Sequence, residues 1–208
     1  LKSDRLIVFG DSWPAGVGAV NPAEDGFASL LGKKLNRSVI NLSQPATSIS
    51  HATWQLINFL KDYTPDQYND KILFCLTGKT RSWHFKNNEI LELHPTRVDM
   101  ANKVYYSYVH SEELSNAERD KNIILVESLC QRFSLPVYFV VNWDEQPVHQ
   151  LINLNNFYPT SLLNLFNLDN LPEEKFTSDY INNIYMTQFH PNNLGHQVIA
   201  DALFNWIK

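Results

Sequence analysis

Two cysteines, Cys75 and Cys130, are all the thiol in a chain of 208 residues. They sit in separate apolar segments with no C-x-x-C pair. That excludes a structural zinc site; a disulfide between them is open but nothing in the spacing supports one, and both read as buried free thiols. Long hydrophobic runs are also missing. The longest, at 71–76 and 136–141, are strand-length, well short of the ~20 residues with which a helix spans a bilayer. Positive charge is scarce, with 17 Lys and Arg against 22 Asp and Glu, for a net charge of −5. No basic run stands out, which argues against nucleic acid as a partner. The seven glycines include Gly16 and Gly18 after Pro14, but no G-x-x-x-x-G-K-[ST] string, so a phosphate-binding loop is not expected. The chain opens at Leu1, with no initiator Met and no signal-peptide pattern. That is compatible with a trimmed, processed or excised chain and sets no compartment.

What is present is globular: 44% hydrophobic, 19% charged, with five Trp, nine Tyr and twelve Phe. The length suits one α/β domain. Residues 5–9 form an apolar run ending in Gly10, expected as a buried parallel strand and a sharp turn. Further strands are expected at 38–42, 71–77 and 136–142. Helical spacing marks 24–36, 48–63, 116–133 and 196–208, with shorter helices near 98–108 and 161–167. Residues 81–114 are otherwise expected as loops, and 144–179 as a long connection. Strands alternating with helices predict a parallel sheet covered on both faces, with its site beyond the carboxyl ends of the strands. No oligomeric state is legible.

Gly10-Asp11-Ser12-Trp13 follows the first strand. A serine on a tight turn there lifts its hydroxyl above the sheet and offers its own backbone N–H as an oxyanion donor. Asp11 is expected to accept backbone N–H groups and shape the turn. At the other end, Phe189-His190-Pro191-Asn192-Asn193-Leu194-Gly195-His196 leads into the last helix. His190 precedes a proline and so lies on a loop, where it can act as a general base. His196 is expected to start the helix and hydrogen-bond locally. The His190–His196 spacing fits no common zinc pattern, so no metal is expected. Trp13 and Trp83 follow site-forming turns and are candidate pocket walls; Trp54, Trp143 and Trp206 are assigned to the core.

The pairing of these two segments resembles the SGNH/GDSL hydrolase family, with VFGDSWPAG matching its first block and HPNNLGHQVIADAL its last. The resemblance anchors residues 5–207. It implies a three-layer α/β/α sandwich with a central, mostly parallel, flavodoxin-like sheet, and esterase chemistry with Ser12 as nucleophile and His190 as base. No cofactor is implied, and the substrate would be a small-molecule or glycan ester, including an O-acetyl group on a glycan. The family's oxyanion glycine falls on Ala46, which keeps its N–H. The asparagine of G-x-N-D falls on Thr77 or Thr80, with Lys79 and Arg81 able to supply positive charge instead. The acid of D-x-x-H is replaced by Thr187. Three alternatives follow. Thr187 or a backbone carbonyl orients His190; an acid from elsewhere (Asp144, Glu145 or Asp179) takes over; or the site is weak and the fold serves as a binding or structural module.

Overall fold

The computed structural model describes residues 3–64, 68–86, 89–95, 97–142, 149–166, 185–187 and 189–208. The strands are β1 (Ser3–Phe9), β2 (Ser38–Asn41), β3 (Tyr68–Leu76), β4 (Ser82–Lys86), β5 (Glu89–Leu93), β6 (Val137–Val141), β7 (Met186–Thr187) and β8 (His190–Pro191). The helices are α1 (Pro22–Asp25), α2 (Phe27–Leu35), α3 (Ile49–Lys61), α4 (Met100–Tyr108), α5 (Glu112–Arg132) and α6 (Asn193–Ile207).

Four strands form a parallel sheet in the order β2-β1-β3-β6. β1 shows why it is central. Leu6 and Val8 are fully buried with Phe27 and Leu31 of α2 and Ile199 and Leu203 of α6. Ile7 and Phe9 are fully buried on the opposite face, with Ala52 and Leu56 of α3 and Ile123 and Val126 of α5. A strand whose alternate residues are apolar in both directions is stable only with helices on both sides. Each such side chain contributes about 1.5–3 kcal/mol of burial. The layered parallel sheet expected from the alternation is therefore observed. The chain leaves β1 for β2 on one side and later places β3 on the other. This reversal makes β1/β3 the topological switch, where the carboxyl-end crevice opens.

Several local expectations are corrected. The helix read over 24–36 is two helices, because Gly26 is extended (φ −64°, ψ 143°) between α1 and α2. The segment read as loops before 98 contains a hairpin, β4–β5, paired from Ser82↔Leu93 to Lys86↔Glu89. The expected helix near 161–167 is a single 3₁₀ turn, Leu163–Phe166. Helices α5 and α6 begin a few residues earlier than read, at Ser111 and Asn192 caps whose side chains accept Leu114 and Gly195 N–H. Cys75 and Cys130 are free and buried, and burial raises both thiol pKa values, that of Cys130 to about 12. No helix among the described residues is long and apolar enough to cross a membrane.

Candidate active site

The turn that carries Ser12 starts where β1 runs out against β3. Gly10 has φ +149°, and a Cβ there would lie 2.8 Å from both Cys75 Cβ and Pro14 Cγ. Only glycine lets the chain turn this close to its neighbour. The turn then closes with Ala15 N–H donating to Asp11 O at 3.1 Å and Val17 N–H to Ser12 O at 3.0 Å. Gln44 N–H donates to Gly10 O at 3.0 Å and Asn41 Nδ2 to Pro14 O at 2.6 Å, drawing the loop after β2 onto the same turn. That loop carries Ala46 at φ +67°, the left-handed conformation that favours glycine.

Ser12 and His190 meet. Their Oγ and Nε2 atoms are 3.0 Å apart, a hydrogen bond across 178 positions of sequence. Ser12 is 7% exposed. His190 stands on β8, antiparallel to β7, in register with Thr187. Thr187 itself is exposed, and the strand pairing is what links it to His190.

Trp13 is a strut rather than the pocket wall expected of it. It is 1% exposed, packs against Phe166, and donates its indole N–H to Phe189 O at 3.2 Å. Phe189 is itself left-handed (φ +64°) immediately before His190, so Trp13 ties the serine's turn directly to the histidine's. His196, expected to bond locally, instead reaches far across the sequence. Its Nδ1 accepts Phe27 N–H at 3.2 Å, and its Nε2 donates to Val17 O at 3.3 Å. This requires the neutral imidazole, and burial pushes its pKa down to about 4.

Asp11 lies 1% exposed below the serine. Its Oδ1 accepts Trp13 N–H at 3.2 Å and Asn142 Nδ2 at 2.9 Å; its Oδ2 accepts Arg81 Nη1 at 2.9 Å. Burial raises its pKa, and the Arg81 guanidinium opposes the rise. Arg81 Nη1 also donates to Thr77 Oγ1 at 3.0 Å. Thr77 is 5% exposed at the end of β3. Thr80 is tied elsewhere, its carbonyl accepting Tyr106 OH at 2.6 Å. Lys79 reaches Glu112 Oε1 and Asn116 Oδ1, each at 3.2 Å. Trp83 stacks on His51 with centroids 5.3 Å apart, and Trp54 lies 6.4 Å from it.

No protein-family model matches the sequence, and no curated protein sequence matches it. In three dimensions its neighbours are consistent. A psychrotrophic esterase from Pseudoalteromonas sp., in a structure inhibited by monoethylphosphonate, superposes with a TM-score of 0.54 at 14% identity, over 98% of this chain and 96% of the other. A lipolytic G-D-S-L family protein from Veillonella parvula gives 0.56 at 14% identity, over 98% and 97%. An acetyl xylan esterase from the rumen bacterium Butyrivibrio proteoclasticus gives 0.58 at 13% identity, over 100% of this chain and 64% of that one. The chain has the SGNH/GDSL hydrolase fold.

On the SGNH sheet four of these positions follow strand carboxyl ends. Ser12 follows β1, Ala46 follows β2, and Thr77 follows β3. Asn142 follows β6 and had no sequence signal, since its partner Asp11 is 131 positions away. The Asp11–Arg81 pair was equally hidden, as one residue read as a turn former and the other as a loop cation. The alternative acids Asp144, Glu145 and Asp179, like Trp143, lie outside the described residues.

Proposed function

We propose that this chain hydrolyses a carboxylic ester through Ser12, with His190 as general base. The 3.0 Å hydrogen bond between Ser12 Oγ and His190 Nε2 is the observation that carries this reading. It is the separation at which an imidazole can take the hydroxyl proton as the oxygen attacks. In the first half-reaction Ser12 Oγ bonds to the ester carbonyl carbon and its proton passes to Nε2. The tetrahedral intermediate collapses, and His190 returns that proton to the departing alkoxide. In the second half, water gives a proton to His190 as its oxygen adds to the acyl carbon; the intermediate then collapses, the acid leaves, and His190 returns the proton to Ser12 Oγ. These steps call for no cofactor.

The carbonyl oxygen needs donors as it gains charge. Among the described residues, neither the Ser12 nor the Ala46 N–H has a hydrogen-bond acceptor in the protein. Both stay available at the switch crevice. Thr77 is the better of the two threonines for the third donor. Its oxygen accepts from Arg81, which leaves its own proton to donate, whereas Thr80 is anchored to Tyr106 through its carbonyl. An O-acetyl group on a glycan is the ester class we favour, in keeping with a neighbour named as an acetyl xylan esterase.

Fluorophosphonate labelling and p-nitrophenyl acetate hydrolysis test this. The native chain should label, and Ser12→Ala should not. His190→Ala should lose at least about a hundredfold in kcat, the lower end for a positioned base. A native chain that labels no better than Ser12→Ala would leave only the binding-module reading, for which Thr187 in place of the acid already argues.

A further inference from the structure

A groove of about 630 Å³ opens between α3, the β4 end of the hairpin and α5. It shares a wall with the catalytic turn. Arg81 lines it, and the same guanidinium is 2.9 Å from Asp11, the residue before Ser12. The volume is that of a small-molecule site.

Its lining limits what it can hold. The cations facing it are matched from within: Arg81 by Asp11, Lys79 by Glu112, and Lys121 by Glu118. An acidic ligand would have to displace these partners. Ser50, Asn122, Ser115 and Glu118 are bonded to one another, to His110 and to Lys121, but each keeps a further donor or acceptor site that an acyl chain would cover and could not fill, at a cost of up to about 1–3 kcal/mol each. Aromatic rings supply the apolar part. His51, Trp83 and Trp54 form a cluster, with Trp54, assigned to the core from sequence, 39% exposed at its outer end. A neutral, polyhydroxylated ring satisfies both constraints, its C–H face on indole and its hydroxyls on the serines, Asn122 and Glu118.

We infer that this groove binds one to three sugar rings of an uncharged glycan, positioning an ester on that glycan at Ser12. The inference rests on the ester-hydrolase reading for its purpose, but its binding step does not need turnover. The test is therefore made on the Ser12→Ala chain, titrated with neutral xylo-, manno- and gluco-tetrasaccharides, with trigalacturonate, and with octanoate, following tryptophan fluorescence and calorimetry. At least one neutral tetrasaccharide should saturate below 10 mM and perturb the fluorescence, and Trp54→Ala should weaken it at least tenfold. Leu125→Lys, on a rim residue 38% exposed, is a second variant that leaves the aromatic cluster intact and should weaken the same sugar. Circular dichroism checks that each variant is folded. The inference is overturned if no neutral sugar saturates, if both folded variants bind as the parent does, or if trigalacturonate or octanoate binds tightest. Fluorophosphonate labelling of the native serine is read separately, so loss of sugar binding with labelling intact removes the groove alone, whereas loss of labelling with sugar binding intact removes the hydrolase reading and the ester-positioning role but leaves the sugar-binding groove.

Discussion

Arg81 pairs with Asp11, the residue before Ser12, and the two opposite charges are 17% and 1% exposed at their side chains. Removing one partner of such a pair strands the other, at a cost of about 3–5 kcal/mol. Arg81→Met should destabilise the fold by roughly that amount, and the loss should grow with pH. The Asp11 carboxyl is raised already, and without its counterion it rises further. The unfolded chain ionises at the ordinary carboxylate pKa, so the variant's deficit opens as pH climbs above about 4. Urea melts at pH 5 and pH 8 would show it; equal deficits at both would refute the charge argument. Ala46 makes the opposite prediction. Its φ of +67° burdens a residue with a Cβ by about 1 kcal/mol. Ala46→Gly should therefore raise stability by up to about 1 kcal/mol, or about 2–4 °C in Tm, while leaving the N–H in place for the oxyanion. A Tm that falls would mean the unfolded-state freedom of glycine outweighs the relief. At this scale the sequence was partly legible. Ser12 and His190 stand in distinctive local strings, whereas Asn142 and Arg81 acquire their roles only from partners that folding brings to them.

Elements were legible where periodicity is strong. β1, α3 and α5 each bury a regular set of apolar residues, and regular spacing survives in the chain as written. The β4–β5 hairpin was missed because Trp83, His84 and Lys86 show no clean two-residue alternation. Gly26 was passed over within a good helical pattern, although its extended conformation divides α1 from α2. The stretch after Ser12 shows how one element fixes another. A Cβ on Gly18 would stand 2.3 Å from Pro191 O and 3.1 Å from His190 Cβ. Gly18→Ala should push β8 away and lower kcat/KM at least about tenfold, since a misplacement near 1 Å costs up to a hundredfold. Slower fluorophosphonate labelling of a folded variant would confirm it, and unchanged labelling would show that the two loops do not depend on each other.

Across the whole molecule, the switch between β1 and β3 gathers residues from every part of the chain. The sheet order was legible only as a class, since alternation predicts parallel strands but not which are neighbours. His196 gives this assembly a pH dependence. Its folded pKa of about 4 lies below the 6.5 of an ordinary histidine, so the unfolded chain binds more protons between those values. The stabilisation is complete above pH 6.5 and declines as pH falls toward 4, a change of about 3 kcal/mol. His196→Gln can serve Phe27 N–H and Val17 O without titrating. It should flatten the stability profile across that window, and an unchanged slope in urea melts from pH 7 to 4 would assign the acid sensitivity to other groups.

The 178 positions between Ser12 and His190 carry a consequence for timing. During synthesis Ser12 emerges early and His190 late, with most of the sheet translated in between. Until α6 docks and brings β8 with it, the Ser12 hydroxyl has no imidazole beside it. On the proposed reading of this pair, reactivity would be withheld from every partly made or partly folded form of the chain, and labelling of Ser12 would report that the last helix has found its place.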